Sequence, residues 1–232
     1  MPFSAMPFSA SSPDYPLLSV TATIWVYWST VVVLAVRKRI REGRSAGFRP
    51  RDRFERRLWR VILPLVGLWL LLPTLALFWE RLPGVSVPRF AAQFPWWSVL
   101  RWAAAAAAPG LYLLSLASWR QLGRHWTMAI VPRQTSGLVT TGIYGWVRHP
   151  IYSLSMALML CTLLVLPTVP MALVAALHIL VFVLKARREE EHLRAAFGEE
   201  YEAYCRSVGR FVPRLRPLWR SGRSRHHKPV VQ

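Results

Sequence analysis

A glycine-punctuated polar loop, residues 138–152 with the sequence LVTTGIYGWVRHPIY, runs directly into an apolar stretch. Pro150 stands where a helix would begin, a position that tolerates its missing N–H group. Arg148 and His149 come just before that start, where the free N–H groups of a helix can receive a carboxylate. The loop therefore offers cations, aromatic rings and backbone donors within a few residues of one another.

Three consecutive acids, Glu189 to Glu191, follow the end of the next apolar run. Lys185 and Glu189 are four residues apart, so ion pairing along a helix face is one explanation of the cluster. Only a short apolar hairpin separates the acids from the loop, which predicts that they fold back toward Arg148 and His149. A carboxylate in that place can bond a ribose or an ammonium and favours a sulfonium cation. The arrangement suits a small polar cofactor that carries charges of both signs.

Composition points to a membrane. Of the 232 residues 53% are hydrophobic, 12 are Trp and the net charge is +19. The basic residues lie between and after the apolar runs, which favours membrane topology over nucleic-acid binding. Neither Cys161 nor Cys205 matches a metal spacing, and His125 has no second ligand at such a spacing, so no metal is expected.

The apolar runs predict an all-α, polytopic integral membrane protein with about five transmembrane helices. Residues 1–16 read as a flexible tail. Three spans fill residues 17–118, and the basic loop 37–60 between the first two carries eleven Lys or Arg. Residues 119–214 hold a polar loop, a helical hairpin and a last helix that runs on to about Cys205. An apolar stripe on this last helix can lie along the membrane interface; it consists of Leu193, Phe197, Tyr201 and Tyr204. Residues 215–232 read as a basic disordered tail.

Basic residues concentrate in the loop 37–60, in residues 119–150 and after residue 185, which places these segments in the cytoplasm. The amino terminus is then outside and the carboxyl terminus inside. The expected partners are the lipid bilayer and a lipophilic or small ligand. Within the spans, the alanines of 103–108 favour close helix contact, Arg101 is expected to snorkel to the interface, and His178 is expected to be a hydrogen-bonded core residue.

Three motifs together carry a family resemblance: LGRHW, LVTTGIYGWVRHPIY, and EEEHLRAAFGEEYEAYCRSVGRFVP. They resemble the isoprenylcysteine carboxyl methyltransferases and their bacterial relatives, close to the phospholipid N-methyltransferases, over about residues 121–214. The resemblance implies methyl transfer from S-adenosylmethionine held in a cytoplasmic pocket. The residues it implies for the cofactor are Leu138, Val139, Tyr144, His149, Pro150, Ile151, Tyr152, Glu189 and, as support from the same turn, Glu190.

One departure from that family concerns the methyl acceptor. The carboxyl methyltransferases use an Arg one turn before the paired acids, where this chain has Lys185, which keeps the charge but loses the bidentate fork. Arg148 is the other candidate for orienting an anionic acceptor, so Arg148 and Lys185 are the predicted catalytic residues. The acceptor stays open among a carboxylate, a thiol and an amine.

Two other functions compete with this interpretation. A membrane sterol-type reductase using NADPH has a similar carboxyl end, but its motif usually reads His-Pro-Asn-Tyr, and Ile151 stands here at the Asn position. A noncatalytic membrane scaffold is the third hypothesis, and it predicts that neither cofactor binds.

Overall fold

The computed structural model describes residues 13–42, 53–79, 82–123 and 137–214. Six α-helices lie in these ranges: α1 (Tyr15–Glu42), α2 (Arg53–Phe78), α3 (Arg89–Gln93), α4 (Pro95–Leu122), α5 (Pro150–Val165) and α6 (Val169–Ser207). The predicted all-α fold is confirmed. The predictions for the first twelve residues, for residues 43–52 of the basic loop, for most of the LGRHW motif and for the tail 215–232 fall outside the described residues.

Four of the helices, α1, α2, α4 and α6, are long and apolar enough to cross a membrane. The chain is thus a multi-pass membrane protein in its described part. The remaining predicted span, α5, has 16 residues, about 24 Å of helix, which is short for a full crossing. The count of five spans therefore holds only approximately. The last helix runs on to Ser207, as predicted from the apolar spacing beyond Lys185.

Helix α4 packs closely on α1 through its alanines. Ala104, Ala105 and Ala108 are buried, and the Ser19 hydroxyl of α1 donates to the Ala105 carbonyl oxygen over 3.0 Å. Such a short link between two helices requires small residues at the crossing. The predicted close contact along residues 103–108 is confirmed.

Arg101 does not snorkel, and that prediction was wrong. Its side chain is buried, its Nε donates to the carbonyl oxygen of Val165 over 3.1 Å, and its guanidinium pairs with Asp14. The Trp97 indole donates to the neighbouring Leu164 carbonyl oxygen over 3.1 Å. Helix carbonyls near a C-terminus lack partners within their own helix. Arg101 and Trp97 of α4 therefore satisfy the end of the short helix α5.

Helix α6 is bent at Gly198, which has a left-handed φ of 51°. Beyond the bend, Tyr201 and Tyr204 are almost fully buried in a small core with Val208, against which Leu138, Leu193, Phe197 and Cys205 pack. The apolar stripe on this helix thus packs against protein and not along the membrane interface, contrary to the prediction. The bend turns the end of α6 back onto the polar loop that precedes α5.

Candidate functional site

The loop before α5 is held by the end of α4. The Gln121 side chain donates to the Thr141 carbonyl oxygen and accepts from the Ile143 N–H over 3.1 Å. Gly142 lies between these contacts with a φ of 55°, and a Cβ atom there would meet the Gln121 amide at 2.5 Å. Glycine adopts this backbone conformation without strain, whereas any larger residue would also have to displace the Gln121 side chain. A 3₁₀ turn over residues 142–145 follows and leads to Arg148 and His149.

The segment after α6 pairs with this loop through its backbone. Arg148 N–H donates to the Gly209 carbonyl oxygen over 2.8 Å, and His149 N–H donates to that of Arg210 over 3.1 Å. The Tyr204 hydroxyl adds a 2.5 Å hydrogen bond to the Tyr144 carbonyl oxygen. These bonds fix the residues that immediately precede Pro150, the first residue of α5.

Glu190 is fully buried and joins the cationic residues of this region. Its carboxylate accepts from Arg148 over 3.1 Å and from Arg210 over 2.7 Å, and it lies 3.3 Å from His149 Nε2 and 3.5 Å from Arg194. The hydrogen bonds to Glu190 raise the pKa of Arg210 above its ordinary value. A buried carboxylate needs such compensation, and Glu190 here ties α6, the loop and the final segment together.

Glu189, the preceding acid, lines the cavity and contacts Tyr152 and the Nδ1 side of His149. It accepts a 2.9 Å hydrogen bond from the Tyr152 hydroxyl, and its carboxylate lies 3.7 Å from His149 Nδ1. The rings of His149 and Tyr152 stack at 5.4 Å with nearly parallel planes. The side chain of Glu189 keeps 33% of its surface exposed, so one polar wall is built from these three residues.

This wall closes a cavity of about 160 Å³ between the helices and the loop. Eight of the nine predicted cofactor residues line it: Leu138, Val139, Tyr144, His149, Pro150, Ile151, Tyr152 and Glu189. Glu190, predicted as support, lies behind the wall and outside the lining. The Tyr144 hydroxyl is buried and has no hydrogen-bond partner among the described residues. Burial, helped by the charge of Glu189, raises the pKa of Tyr144 above its ordinary value.

The two predicted catalytic residues also line the cavity, in different ways. Lys185 places its ammonium 5.6 Å from the Tyr152 ring centre and 5.8 Å from that of Trp59. Arg148 directs its guanidinium to Glu190 and to the carbonyl oxygens of Cys205 and Val208. In this geometry Arg148 holds Glu190 and the segment after α6 in position. Its contact with a methyl acceptor stays a prediction.

Sequence reasoning missed several residues of the site. The apolar side of the cavity is formed by helices outside the recognised motifs, through Tyr27, Trp28, Val31, Trp59, Ile62, Trp119, Leu122 and Phe182. Arg210, which binds Glu190, was also missed, and so was Gln121. The glycine–arginine pair 209–210 within the last motif was the available signal for Arg210. The aromatic residues of α1 and α2 gave no such signal, because only the tertiary fold brings them to the cavity.

The described residues contain no group of three or more His, Cys, Asp or Glu that could hold a metal ion. His178, in the apolar part of α6, lies 3.2 Å from the Ser155 hydroxyl through its Nε2 and packs against Trp69 and Phe182. It is a hydrogen-bonded core residue, as predicted.

Residues 100–200 match the family model described as phospholipid methyltransferase. The resemblance to this methyltransferase family is confirmed over those residues. The matched segment contains the loop, the α5–α6 hairpin and the acids, and so most of the polar wall. It leaves α1 and α2, which supply part of the apolar side, outside the match.

Two individual proteins are similar to the chain. The nickel-cobalt-cadmium resistance protein NccN of Alcaligenes xylosoxydans xylosoxydans is 32% identical over 101 residues, which is 43% of this chain and 47% of that protein. The chain thus matches about half the length of this curated relative. A solved structure of the eukaryotic intramembrane Ras methyltransferase, isoprenylcysteine carboxyl methyltransferase, has a TM-score of 0.39 at 20% identity and covers 67% of both chains.

Proposed function

We propose that this chain is an integral membrane methyltransferase that uses S-adenosylmethionine and acts on a lipophilic or small acceptor. The observation that supports this most is the cavity wall of His149, Tyr152 and Glu189. These residues come from two motifs about forty residues apart, and the segment that contains them matches a methyltransferase family model. One polar, partly exposed carboxylate beside a stacked His–Tyr pair suits a cofactor with a cationic centre and hydroxyl groups.

The cofactor residues proposed are the eight that line the cavity, with Glu190 behind them. Glu189 would accept hydrogen bonds from the ribose or the ammonium group. The buried Tyr144 hydroxyl, which has no partner among the described residues, is a donor that a bound molecule would satisfy. Leu138, Val139 and Ile151 supply apolar contact. The residues present therefore fit S-adenosylmethionine.

The cofactor supplies an activated methyl group on a sulfonium when it is bound. The work left to the chain is to align the acceptor with that methyl group and to exclude water. The aromatic and aliphatic side chains around the cavity exclude water. A carboxylate or thiolate acceptor needs no strong base, whereas an amine must first lose a proton. Lys185 and Arg148 are the proposed cationic residues of the acceptor side, Lys185 by contact and Arg148 by positioning.

The proposed topology places the amino terminus outside and the carboxyl terminus in the cytoplasm. The loop before α5 and the charged half of α6 then share the cytoplasmic face, so the cofactor enters from the cytoplasm and the acceptor from the bilayer. Residues 17–118 contribute three transmembrane helices and residues 119–214 form the catalytic region, flanked by the tails 1–16 and 215–232.

A binding titration tests this function. Purified protein in detergent is titrated with radiolabelled S-adenosylmethionine and, separately, with NADPH. We expect saturable binding of the first and none of the second. Binding of NADPH alone would contradict the proposal and support the reductase hypothesis. Binding of neither molecule would support the hypothesis of a noncatalytic scaffold. Transfer of label from the cofactor into total membrane extract then identifies the acceptor by isolation of the labelled product.

A further inference from the structure

Helix α2 carries four arginines on one face of its first turns. They follow one another at three- and four-residue steps, which places them side by side on the helix surface: Arg53, Arg56, Arg57 and Arg60. All four side chains are exposed, and together they border one open groove, the arginine groove. None of them forms an ion pair or a hydrogen bond with another residue of the described ranges. Four neighbouring positive charges are thus left without a negative partner in that part of the chain.

The acid of the same helix does not neutralise these arginines. Glu55 is 3% exposed, and its charge acts on Lys185 and Tyr152. At about 100° per residue, Glu55 lies roughly opposite the centre of the arginine face. Trp59 and Ile62, which line the cavity, fall on the same side of the helix as Glu55. Helix α2 therefore presents its acid and its cavity residues to the protein and its arginines to the surroundings.

The arginine face continues into an apolar face farther along α2. Four exposed residues lie on the same side of the helix beyond the arginines: Pro64, Gly67, Leu71 and Phe78. A Cβ atom at Gly67 would meet nothing within 4 Å, so this stretch is open. Helix α2 is long and apolar enough to cross a membrane. Its outer face thus offers apolar surface to acyl chains and, at one end, positive charge to a head group.

The chemistry of this face favours a lipid with net negative charge. A guanidinium matches the geometry of a phosphate through paired N–H donors, and basic clusters beside a membrane helix attract anionic lipids. A zwitterionic phospholipid also has a phosphate, but the neighbouring arginines would repel its ammonium group. A soluble anion would contact the arginines and leave the apolar face without a partner. An anionic phospholipid uses both parts.

We propose that the arginine groove binds the head group of an anionic phospholipid, such as phosphatidylglycerol, whose acyl chains lie along the exposed face of α2. This lipid is not the methyl acceptor, because the groove and the cavity lie on opposite sides of the helix. Helix α2 also lies outside residues 100–200, the segment that matches the family model. The site therefore goes beyond the proposed methyltransferase function and does not depend on it.

The test compares head groups on identical acyl chains. Full-length protein in a neutral detergent is titrated with phosphatidylglycerol or with phosphatidylcholine, and bound lipid is measured by native mass spectrometry. We expect phosphatidylglycerol to bind at least about tenfold more tightly, because several arginines act on its net charge. Equal binding of the two lipids overturns the proposal. Glycerol 3-phosphate and hexaglutamate are the soluble anions of the comparison. If either binds as tightly as phosphatidylglycerol, the groove takes a soluble anion and the lipid assignment is wrong.

Variants locate the effect. The double variant Arg57→Gln/Arg60→Gln removes two charges from the groove and is expected to weaken phosphatidylglycerol binding by about tenfold or more, with phosphatidylcholine binding unchanged. The matched control, Arg37→Gln/Arg39→Gln, removes two charges from exposed positions near the end of α1 that do not border the groove. It should change phosphatidylglycerol binding by less than about threefold. Equal losses in the two double variants would show attraction by overall charge alone and would contradict a site on α2.

The cofactor titration is run on the same samples, because it separates this proposal from the proposed function. Unchanged affinity for S-adenosylmethionine in Arg57→Gln/Arg60→Gln, with weaker phosphatidylglycerol binding, supports a lipid site apart from the cavity. Weaker cofactor binding with wild-type lipid binding would contradict it. If the wild type binds no S-adenosylmethionine, the methyltransferase proposal fails, while the preference for phosphatidylglycerol still decides the lipid proposal.

Discussion

The Tyr152 hydroxyl donates a 2.9 Å hydrogen bond to Glu189, although 37 residues separate the two in sequence. The next acid, Glu190, points instead to Arg148 and Arg210. Successive residues on a helix are about 100° apart around its axis, so two adjacent carboxylates serve different surroundings. Glu189 belongs to the cavity wall, and Glu190 belongs to the buried cluster that holds the wall in place.

Replacing Glu189 by Gln removes its charge and keeps an oxygen that can still accept from Tyr152. We expect affinity for S-adenosylmethionine to fall at least about tenfold, because a charge-assisted hydrogen bond is roughly twice as strong as a neutral one. Thermal stability should stay near that of the wild type. Equilibrium binding of the labelled cofactor measures the effect. Glu191→Gln is the control, since Glu191 is exposed, pairs with Arg188 and does not line the cavity. Equal affinity in both variants would remove Glu189 from the cofactor site.

Replacing Glu190 by Ala should act on stability first. The side chain of Arg148 is only 7% exposed, and it would lose its carboxylate partner in a buried place. Breaking a buried ion pair from one side typically costs about 3–5 kcal/mol. We expect the midpoint of thermal unfolding to drop markedly. The unfolding is monitored in detergent by tryptophan fluorescence.

Glu191→Ala serves as the matched control for that measurement, because an exposed ion pair contributes at most about 1 kcal/mol. Its unfolding midpoint should differ little from the wild type. If Glu190→Ala unfolds at the same temperature as Glu191→Ala, the cluster around Glu190 does not stabilise the fold.

Much of the polar wall could be predicted from sequence because its parts are local. Pro150 fixes where α5 begins, and the short hairpin leaves few ways to place Glu189 relative to His149. The bend of α6 was harder to foresee. Gly198 interrupts a helix with amphipathic spacing. The spacing of Tyr201 and Tyr204 indicated an apolar face, which was predicted to lie along the membrane interface and in fact covers a protein loop.

The apolar side of the cavity could not be predicted in this way. Trp28, Trp59 and Trp119 lie on three helices, and a tryptophan in a membrane protein is usually read as an interfacial anchor. The buried position of Arg101 could not be predicted for the same reason, because the sequence does not reveal that the end of α5 lies within reach of its guanidinium. Residues that act across helices are identified by packing, whereas those within one loop are identified by spacing.

Gly142 allows a test of how the loop is held. Gly142→Ala places a Cβ at 2.5 Å from the Gln121 amide and forces a left-handed φ on alanine. The conformational part alone costs about 1–2 kcal/mol, and displacement of the Gln121 amide adds the loss of its hydrogen bonds to Thr141 and Ile143. We expect lower stability and weaker cofactor binding. In the background of Gln121→Ala the clash is absent, so the same change should cost only the conformational part, a non-additivity that a double-mutant cycle measures. Full additivity would show that Gln121 does not contact Gly142.

Lys185 allows the acceptor side to be separated from the cofactor side. Lys185→Met keeps the length and apolar stem of the side chain and removes the charge near Trp59 and Tyr152. We expect cofactor affinity to change by less than about threefold, since the wall of His149 and Glu189 is intact, and methyl transfer into membrane extract to fall by about tenfold or more through loss of a charge-assisted contact. Lys185→Arg restores the charge and adds a fork that matches a carboxylate, so it should recover most of the transfer if the acceptor is a carboxylate. Equal transfer by the Met variant and the wild type would place the acceptor away from Lys185.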